Sequence, residues 1–240
     1  MDDVLAPLVA VTFLSGLSYG FAGLGSMVFV PLAAILLPPQ QAAAQMALFG
    51  LGSAVTLLPR AWGAADRPRV LTMLAPAALG LAAGAAVLKR ADAEALRWVV
   101  AGLVAATLAA LMAGWRMRLA PGRGMLAAVG GGSGLIGGAT GLLGPVILLF
   151  NLAGTDRAGR VRANTVSFLT LLTVLYVPVL ALQGLIGPEV LWRGLILVPV
   201  YMLATRLGQA VFDPERERLY RHAGYAAVGL AVLAGLPLWR

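Results

Sequence analysis

Two glycine-dense apolar segments are the part of this sequence best suited to chemistry. The first, residues 15–23, reads SGLSYGFAG, and the second, residues 133–141, reads SGLIGGATG. Serine, leucine and three glycines coincide at a constant spacing of 118 positions, which indicates a duplication. A helix interrupted here exposes backbone N–H groups and the positive end of its dipole, and glycine lets a ligand approach both. Such a backbone binds anions without a basic side chain.

Two interrupted helices that face each other predict one shared anion site. Ser26 and Thr140 add hydroxyl donors, and Gln45 and Asn164 occupy matching positions after the two segments. Arg206 lies inside the apolar run 194–212, where it is either functional or reaches the membrane interface by snorkelling. The predicted substrate-binding residues are Gly20, Gly23, Gly25, Ser26, Gln45, Gly138, Thr140, Gly141, Gly144, Asn164 and Arg206.

Close helix packing is the competing interpretation of these glycines. The spacing Gly-x-x-x-Gly occurs at 16–20, 80–84 and 134–138, and it lets two helix backbones touch. We favour packing at 80–84. For the two duplicated segments we favour binding, because packing alone does not require the second glycines at 25 and 144.

The elements that position these segments must be membrane helices. The chain has 240 residues, of which 60% are hydrophobic and only 12% charged, and its mean hydropathy is +0.88. A soluble domain is about a quarter charged. Long neutral runs separated by short charge clusters are typical of a polytopic helical membrane protein. The runs with the length of a spanning helix are 41–58, 70–88, 98–115, 163–186 and 194–212, and 223–238 is slightly short.

The remaining apolar runs form two broken pairs, 5–20 with 24–37 and 125–143 with 144–153. If each pair returns to its starting side, twelve arginines lie inside and five basic residues outside, as the positive-inside rule requires. Whether each pair is re-entrant or crosses twice stays open. We therefore predict an all-α, polytopic membrane protein with two inverted repeats, residues 1–118 and 119–240. Each repeat has a broken or re-entrant helix pair followed by three transmembrane helices.

Composition also excludes several classes of function. The net charge of +8 comes from arginines that flank membrane segments, so it does not predict a nucleic-acid partner. The chain has no cysteine, and we expect no metal site and no cofactor. An intramembrane serine protease is the alternative, because residues 131–134 read GGSG and His222 is the one histidine. Ser133 would need that base within hydrogen-bond reach. His222 begins the last apolar helix near the inner surface, so the constellation is incomplete and we expect no enzyme.

The glycine segments also carry a resemblance to a known family. Residues 134–145, GLIGGATGLLGP, resemble the second-half signature of the sulfite exporter TauE/SafE family of membrane transporters. Residues 20–31 are a looser match, with Ser26 where that family usually has glycine, and 204–208 also fit. The resemblance implies a carrier of a small anion such as sulfite, a sulfonate or a related small organic acid.

These observations together predict a multi-pass transporter of the inner membrane that works by alternating access. Its expected partners are a small anionic substrate and the lipid bilayer. All ten acidic residues lie outside the apolar runs, so a proton relay through a buried carboxylate is not predicted. Uniport, coupling to Na⁺ or H⁺ and a homo-oligomeric assembly stay open.

Overall fold

The chain is helical throughout the part that the structure describes. The computed structural model describes residues 3–113, 122–152, 158–211 and 217–236. Every regular element in these ranges is an α-helix, which confirms the predicted fold class. The predicted repeat boundary at 118/119 lies outside the described residues. The helices are α1 (Leu5–Ala22), α2 (Gly25–Leu36), α3 (Pro39–Gly50), α4 (Gly52–Thr56), α5 (Leu58–Ala64), α6 (Arg67–Arg90), α7 (Ala93–Met112), α8 (Arg123–Thr140), α9 (Pro145–Leu152), α10 (Ala158–Leu182), α11 (Pro188–Val211) and α12 (Glu217–Gly235).

Four of the described helices, α6, α7, α10 and α11, are long and apolar enough to cross a membrane. The count rises to five if the bent path from α3 to α5 is one span. The chain is therefore a multi-pass membrane protein, as its composition predicts. The broken pairs are also present, as α1 with α2 and α8 with α9.

The predicted helix over 41–58 is not straight. Pro39–Thr56 and Leu58–Ala64 meet at an angle of 62°. Pro59 is the second residue of α5; it has no N–H, and its ring clashes with the carbonyl one turn earlier, so the helix breaks at Leu57. Pro59 is present in the sequence, but the continuous apolar run before it gave no indication of the bend.

Glycines let each broken pair lie backbone to backbone on one long helix of the other half. In the first half, a Cβ on Gly20 of α1 would stand 2.6 Å from the carbonyl oxygen of Thr205 of α11. In the second half, Gly134 of α8 lies directly against the backbone of Ala77 of α6. Gly80 of α6 lies against the backbone of α8 in return, as the packing interpretation of 80–84 predicts.

Two hydrogen bonds fix where the equivalent helices α3 and α10 begin. Gln40 Nε2 donates to the carbonyl of Ala91 at 3.1 Å, so α3 begins beside the end of α6. Asp66 N donates to Asn164 Oδ1 at 2.7 Å, so α10 begins beside the start of α6. α6 has 24 residues and is about 36 Å long. The two helices therefore begin at opposite ends of the bundle, which we name the Asp66 end and the Arg90 end.

Each broken pair returns to the end at which it starts. α8 runs parallel to α6 from the Asp66 end, because Gly130 lies against Met73 and Gly138 against Leu81. α9 comes back to that end, where the guanidinium of Arg69 lies 5.3 Å from the ring centre of Phe150.

The first pair starts and finishes at the Arg90 end. α1 runs parallel to α11, because Gly16 lies against Tyr201 and Gly20 against Thr205, and α11 starts where α10 finishes. α2 comes back to the start of α7, where Arg97 Nε donates to the carbonyl of Ala34 at 3.2 Å.

The basic residues are unequally divided between the two ends. The Asp66 end therefore has the excess of positive charge that the positive-inside rule assigns to the cytoplasmic side. Among the described residues, Arg60, Arg67, Arg69, Arg123, Arg160 and Arg162 lie at the Asp66 end, and Lys89, Arg90, Arg97 and Arg193 lie at the Arg90 end.

Candidate functional site: a cavity between two helix breaks

The two helix breaks are built in the same way. α1 ends at Gly23 with φ 73° and α8 ends at Gly141 with φ 76°. Both angles are in the left-handed region, which glycine enters without a steric cost, and such a residue ends a helix. Pro145 is then the first residue of α9, a position where a missing N–H costs nothing.

The two breaks also face each other. A Cβ on Gly144 would stand 3.7 Å from Ser26 Oγ, and a Cβ on Gly23 would stand 3.9 Å from Leu148 Cδ2. Positions 26 and 144 are separated by the same 118 residues as the duplicated segments. Corresponding positions of the two duplicated segments therefore meet at one point.

A cavity lies where the breaks meet. Together with its opening it has about 340 Å³ of empty space, but the centre of a water molecule can move in only about 20 Å³ of that space. This is room for about one water molecule, so the cavity is narrow in this conformation. Its described lining residues are Tyr19, Gly23, Ser26, Met46, Gly50, Ser53, Leu143, Gly144, Leu169, Thr173 and Tyr201.

The cavity offers hydrogen-bond donors but no charged side chain among its described lining residues. α2 and α9 both begin beside it, and the first N–H groups of a helix have no partner within that helix. The starts of α2 and α9 carry partial positive charge and the ends of α1 and α8 carry partial negative charge, so it is the unpaired N–H groups that favour an anion here. Apolar walls with a few convergent donors suit a small anion.

Two hydroxyl groups of the lining already donate to backbone carbonyls. Ser53 Oγ donates to Gly50 O at 2.6 Å and lies 3.4 Å from Thr170 Oγ1. Thr173 Oγ1 donates to Leu169 O at 2.8 Å. The other donors of the lining are the backbone amides at the breaks and the hydroxyls of Ser26, Tyr19 and Tyr201.

The structure brings six of the predicted site residues together at the breaks. Gly23, Ser26 and Gly144 line the cavity itself. The other three shape the turns: the carbonyl of Gly25 accepts from Ser15 Oγ at 2.9 Å, Thr140 Oγ1 accepts from Leu142 N at 3.2 Å, and Gly141 is the left-handed cap of α8.

The other five predicted residues lie elsewhere, and none is among the described lining residues. Gly20 and Gly138 are packed against α11 and α6. Asn164 accepts from the backbone of Asp66, so it joins α10 to α6. Arg206 is exposed on the outer face of α11, as expected for a side chain that snorkels.

Gln45 is the most unusual of these five. Its side chain is fully buried, yet neither Nε2 nor Oε1 has a hydrogen-bond partner among the described residues. Oε1 lies 3.6 Å from the position of a Cβ on Gly194, so the amide faces α11 and not the cavity. A buried amide without a partner is costly.

Sequence reasoning missed most of the cavity wall. Tyr19 had a signal, because it lies inside the first glycine segment, between Gly16 and Gly20. Met46 and Tyr201 had none, because each lies in a continuous apolar run and only packing turns it inward. The ring centres of Tyr19 and Tyr201 are 6.1 Å apart.

Neither a catalytic serine nor a metal site is assembled in the part of the chain that the structure describes. Ser133 Oγ is buried and has no hydrogen-bond partner there, whereas His222 is exposed on α12. A serine nucleophile requires a base within hydrogen-bond reach. No group of three or more metal-ligating side chains comes together in the same ranges.

An all-helical chain with apolar spans and a cavity between two broken helix pairs belongs to the class of multi-pass membrane proteins, and this arrangement is found in secondary transporters. A comparison with protein families gives the same class. The family model described as "Sulfite exporter TauE/SafE" matches residues 8–236. The chain therefore belongs to this family, which is a family of membrane transporters. Searches of curated proteins and of solved structures found no significant match.

Proposed function

We propose that this protein carries a small anion, such as sulfite, a sulfonate or a related small organic acid, across the inner membrane. The observation that supports this proposal is the shared cavity of the two breaks, where Gly23, Ser26 and Gly144 meet beside the starts of α2 and α9. Those helix starts attract negative charge without a fixed positive charge that would hold the anion too tightly to release it.

The proposed mechanism is alternating access. The cavity is too narrow in this conformation for an anion larger than water, so the lining must move before the substrate enters. Two observations support inverted halves that exchange such conformations: α3 and α10 begin at opposite ends of α6, and Ser26 faces its counterpart Gly144. Inverted repeats give a transporter two related states that open to opposite sides.

The chemistry of the cavity lining bears on ion coupling. The described lining contains no carboxylate and no histidine, the groups that usually carry protons in transporters. The proposal therefore favours uniport, or coupling to Na⁺ through backbone carbonyls.

The test is transport by the purified protein in proteoliposomes. Uptake and efflux of sulfite, a sulfonate and a small carboxylate are measured with and without a Na⁺ or a pH gradient. We expect saturable transport of at least one of these anions and none of a matched cation. Absence of anion transport under every gradient would contradict the proposed function.

A methyl group placed in the cavity tests the site itself. A Cβ on Gly144 would make only ordinary contacts, 3.4 Å from Leu148 Cδ1 and 3.7 Å from Ser26 Oγ. Gly144→Ala should therefore fold normally but lower the transport rate about tenfold or more, because it fills a space that holds about one water. Gly132→Ala is the matched control, since nothing lies within 4 Å of a Cβ there. Equal transport by both variants would place the pathway elsewhere.

A further inference from the structure

Arg162 joins the surface of the Asp66 end to the first helix break. It lies in the second turn of α10, and its side chain is exposed. Its Nη2 donates to the carbonyl oxygen of Gly20 at 2.9 Å. Gly20 is in the last turn of α1, next to Tyr19 and three residues before Gly23, and both of those line the cavity. One exposed cation is therefore bonded to the backbone next to two residues that line the cavity.

The carbonyl of Gly20 is a partner that an anion can replace. It is a neutral acceptor with partial negative charge from the end of the α1 dipole. An oxyanion has a full charge and two oxygens that match the planar fork of a guanidinium. The bond to the Gly20 carbonyl is already charge-assisted on the arginine side, and an oxyanion adds the attraction of its own charge and a second parallel bond. An anion at this position therefore competes well for the guanidinium.

The equivalent place in the first half is closed by packing. The offset of 119 positions that aligns Gln45 with Asn164 aligns Ala43 with Arg162. Ala43 is fully buried, and its Cβ is 2.8 Å from the position of a Cβ on Gly141, at the second break. A methyl group thus seals the second break, whereas an exposed arginine covers the first.

The carbonyls that correspond to each other are also held differently. Gly138 is the counterpart of Gly20, and its carbonyl accepts from Tyr176 Oη at 2.8 Å. Tyr176 is on the same helix as Arg162 but is 1% exposed. A buried neutral hydroxyl does not exchange its partner for an anion from solution. We call these two hydrogen bonds, from Arg162 to Gly20 and from Tyr176 to Gly138, the clamps of the breaks. Of the two, only the clamp on the first break has the chemistry to respond to the substrate.

We propose that Arg162 receives the anion at the Asp66 end of the cavity and releases the Gly20 carbonyl as it does so. It is a positioning residue that sets the preference for anions at this entrance. The proposal rests on the proposed function, because it concerns access to the same cavity. Two other arginines of this end lie on aromatic rings, Arg67 on Trp62 at 5.5 Å and Arg69 on Phe150 at 5.3 Å. They raise the local concentration of anions without contacting the break.

A single thiol in the cavity tests this proposal without knowledge of the substrate. The chain has no cysteine, so Ser26→Cys introduces the only thiol. In sealed vesicles of known orientation, the thiol is modified from the Asp66 end with an anionic sulfonate methanethiosulfonate and with its cationic trimethylammonium analogue. The measured quantity is the ratio of the two rates. We expect Arg162→Gln to lower the anion-to-cation ratio about tenfold, the size of a lost hydrogen bond between charged groups.

Arg160→Gln is the matched control, because it removes the same charge from an exposed position two residues away on α10. It should leave the ratio within about twofold of the S26C parent, as expected for a screened surface charge. Arg162→Lys should restore most of the ratio, because it keeps the charge. A structural role alone would not produce this pattern, since a general distortion of the break would change the rates of the two oppositely charged reagents alike.

Two results would overturn the proposal. One is an equal ratio in R162Q and R160Q, and the other is a thiol that reacts only from the Arg90 end. Transport of sulfite by the cysteine-free protein is measured in parallel, and R162Q should raise its half-saturating concentration at the Asp66 end. If the wild type carries no sulfite, the substrate assignment fails, while the thiol ratio still decides the role of Arg162.

Discussion

The two broken pairs have the same design but are packed with different closeness. In the second half, Gly134 of α8 lies directly on the backbone of Ala77. In the first half, the equivalent Gly16 of α1 is less crowded, since its Cβ would stand 2.7 Å from Ala204 Cβ and 3.0 Å from the carbonyl oxygen of Tyr201. A methyl group at position 134 would overlap backbone atoms that cannot yield, whereas at position 16 its shortest contact is with another methyl group and the backbone is slightly farther away. The pair α8–α9 is therefore the more rigidly fixed of the two.

The clamps on the breaks follow the same division. The second break is held by a buried tyrosine and sealed by Ala43, and the first is held by an exposed arginine. A transporter that opens at one end needs one wall to stay and another to move. We therefore expect α8, α9 and α6 to form the fixed wall, and α1 and α2 to carry the moving one at the Asp66 end.

The largest expected effect tests the difference in packing. Gly134→Ala should lower the free energy of unfolding by about 3 kcal/mol or more, because its methyl group collides with backbone that cannot yield. Gly16→Ala should cost about 1–2 kcal/mol, and Ala204→Gly should restore part of it. The measurement is the free energy of unfolding in mixed micelles. Gly132→Ala is the control, because its effect on stability should come from helix propensity alone. Equal losses at 16 and 134 would remove the distinction between the two pairs.

A smaller effect separates the two left-handed glycines. Gly23→Ala should cost about 1–2 kcal/mol, the strain of a left-handed backbone, because nothing lies closer than 3.9 Å to its Cβ. Gly141→Ala adds a collision with Ala43 to the same strain, so it should cost about 2 kcal/mol more. Ala43→Gly in the same chain should recover part of that difference, because the Ala43 Cα would still stand 3.0 Å from the new methyl group. If both glycines are equally sensitive, Ala43 does not seal the second break.

The smallest effect sharpens the comparison of the clamps. Tyr176→Phe removes the hydroxyl that holds the Gly138 carbonyl, and it should cost about 1 kcal/mol of stability. Because this bond belongs to the fixed wall, the S26C anion-to-cation ratio should stay unchanged. A fall in that ratio would show that both clamps respond to anions.

The periodicity and charge of the sequence predicted most of the fold, because they report the environment of each run directly. Apolar length gave the spanning helices, and the positions of Asp66 and Asp92 agree with the observed starts of α6 and α7. Glycine and proline gave the breaks, since Gly23, Gly141 and Pro145 act through their own backbone chemistry. The bend at Leu57 was not predicted, because the continuous apolar run 41–58 indicates a single helix and Pro59 lies just beyond its end.

The site was predicted less completely, and for a physical reason. Gly20 and Asn164 lie in the right segments, but the first packs against α11 and the second bonds to the backbone of Asp66. A glycine in an apolar run gives the same sequence pattern whether a helix or a ligand approaches it. The presence of an asparagine likewise does not show whether its hydrogen-bond partner is a ligand or a distant peptide group.

What the sequence determined by itself is local: where helices run, where they break, and which end has the positive charge. What only the tertiary structure decided is which surfaces meet: that Ser26 faces Gly144, that Tyr19 and Tyr201 turn inward, and that Arg162 reaches the carbonyl of Gly20. The reason is the distance along the chain. Gly20 and Arg162 are separated by 142 residues, and no short-range pattern of residues encodes a contact that depends on how every helix between them packs.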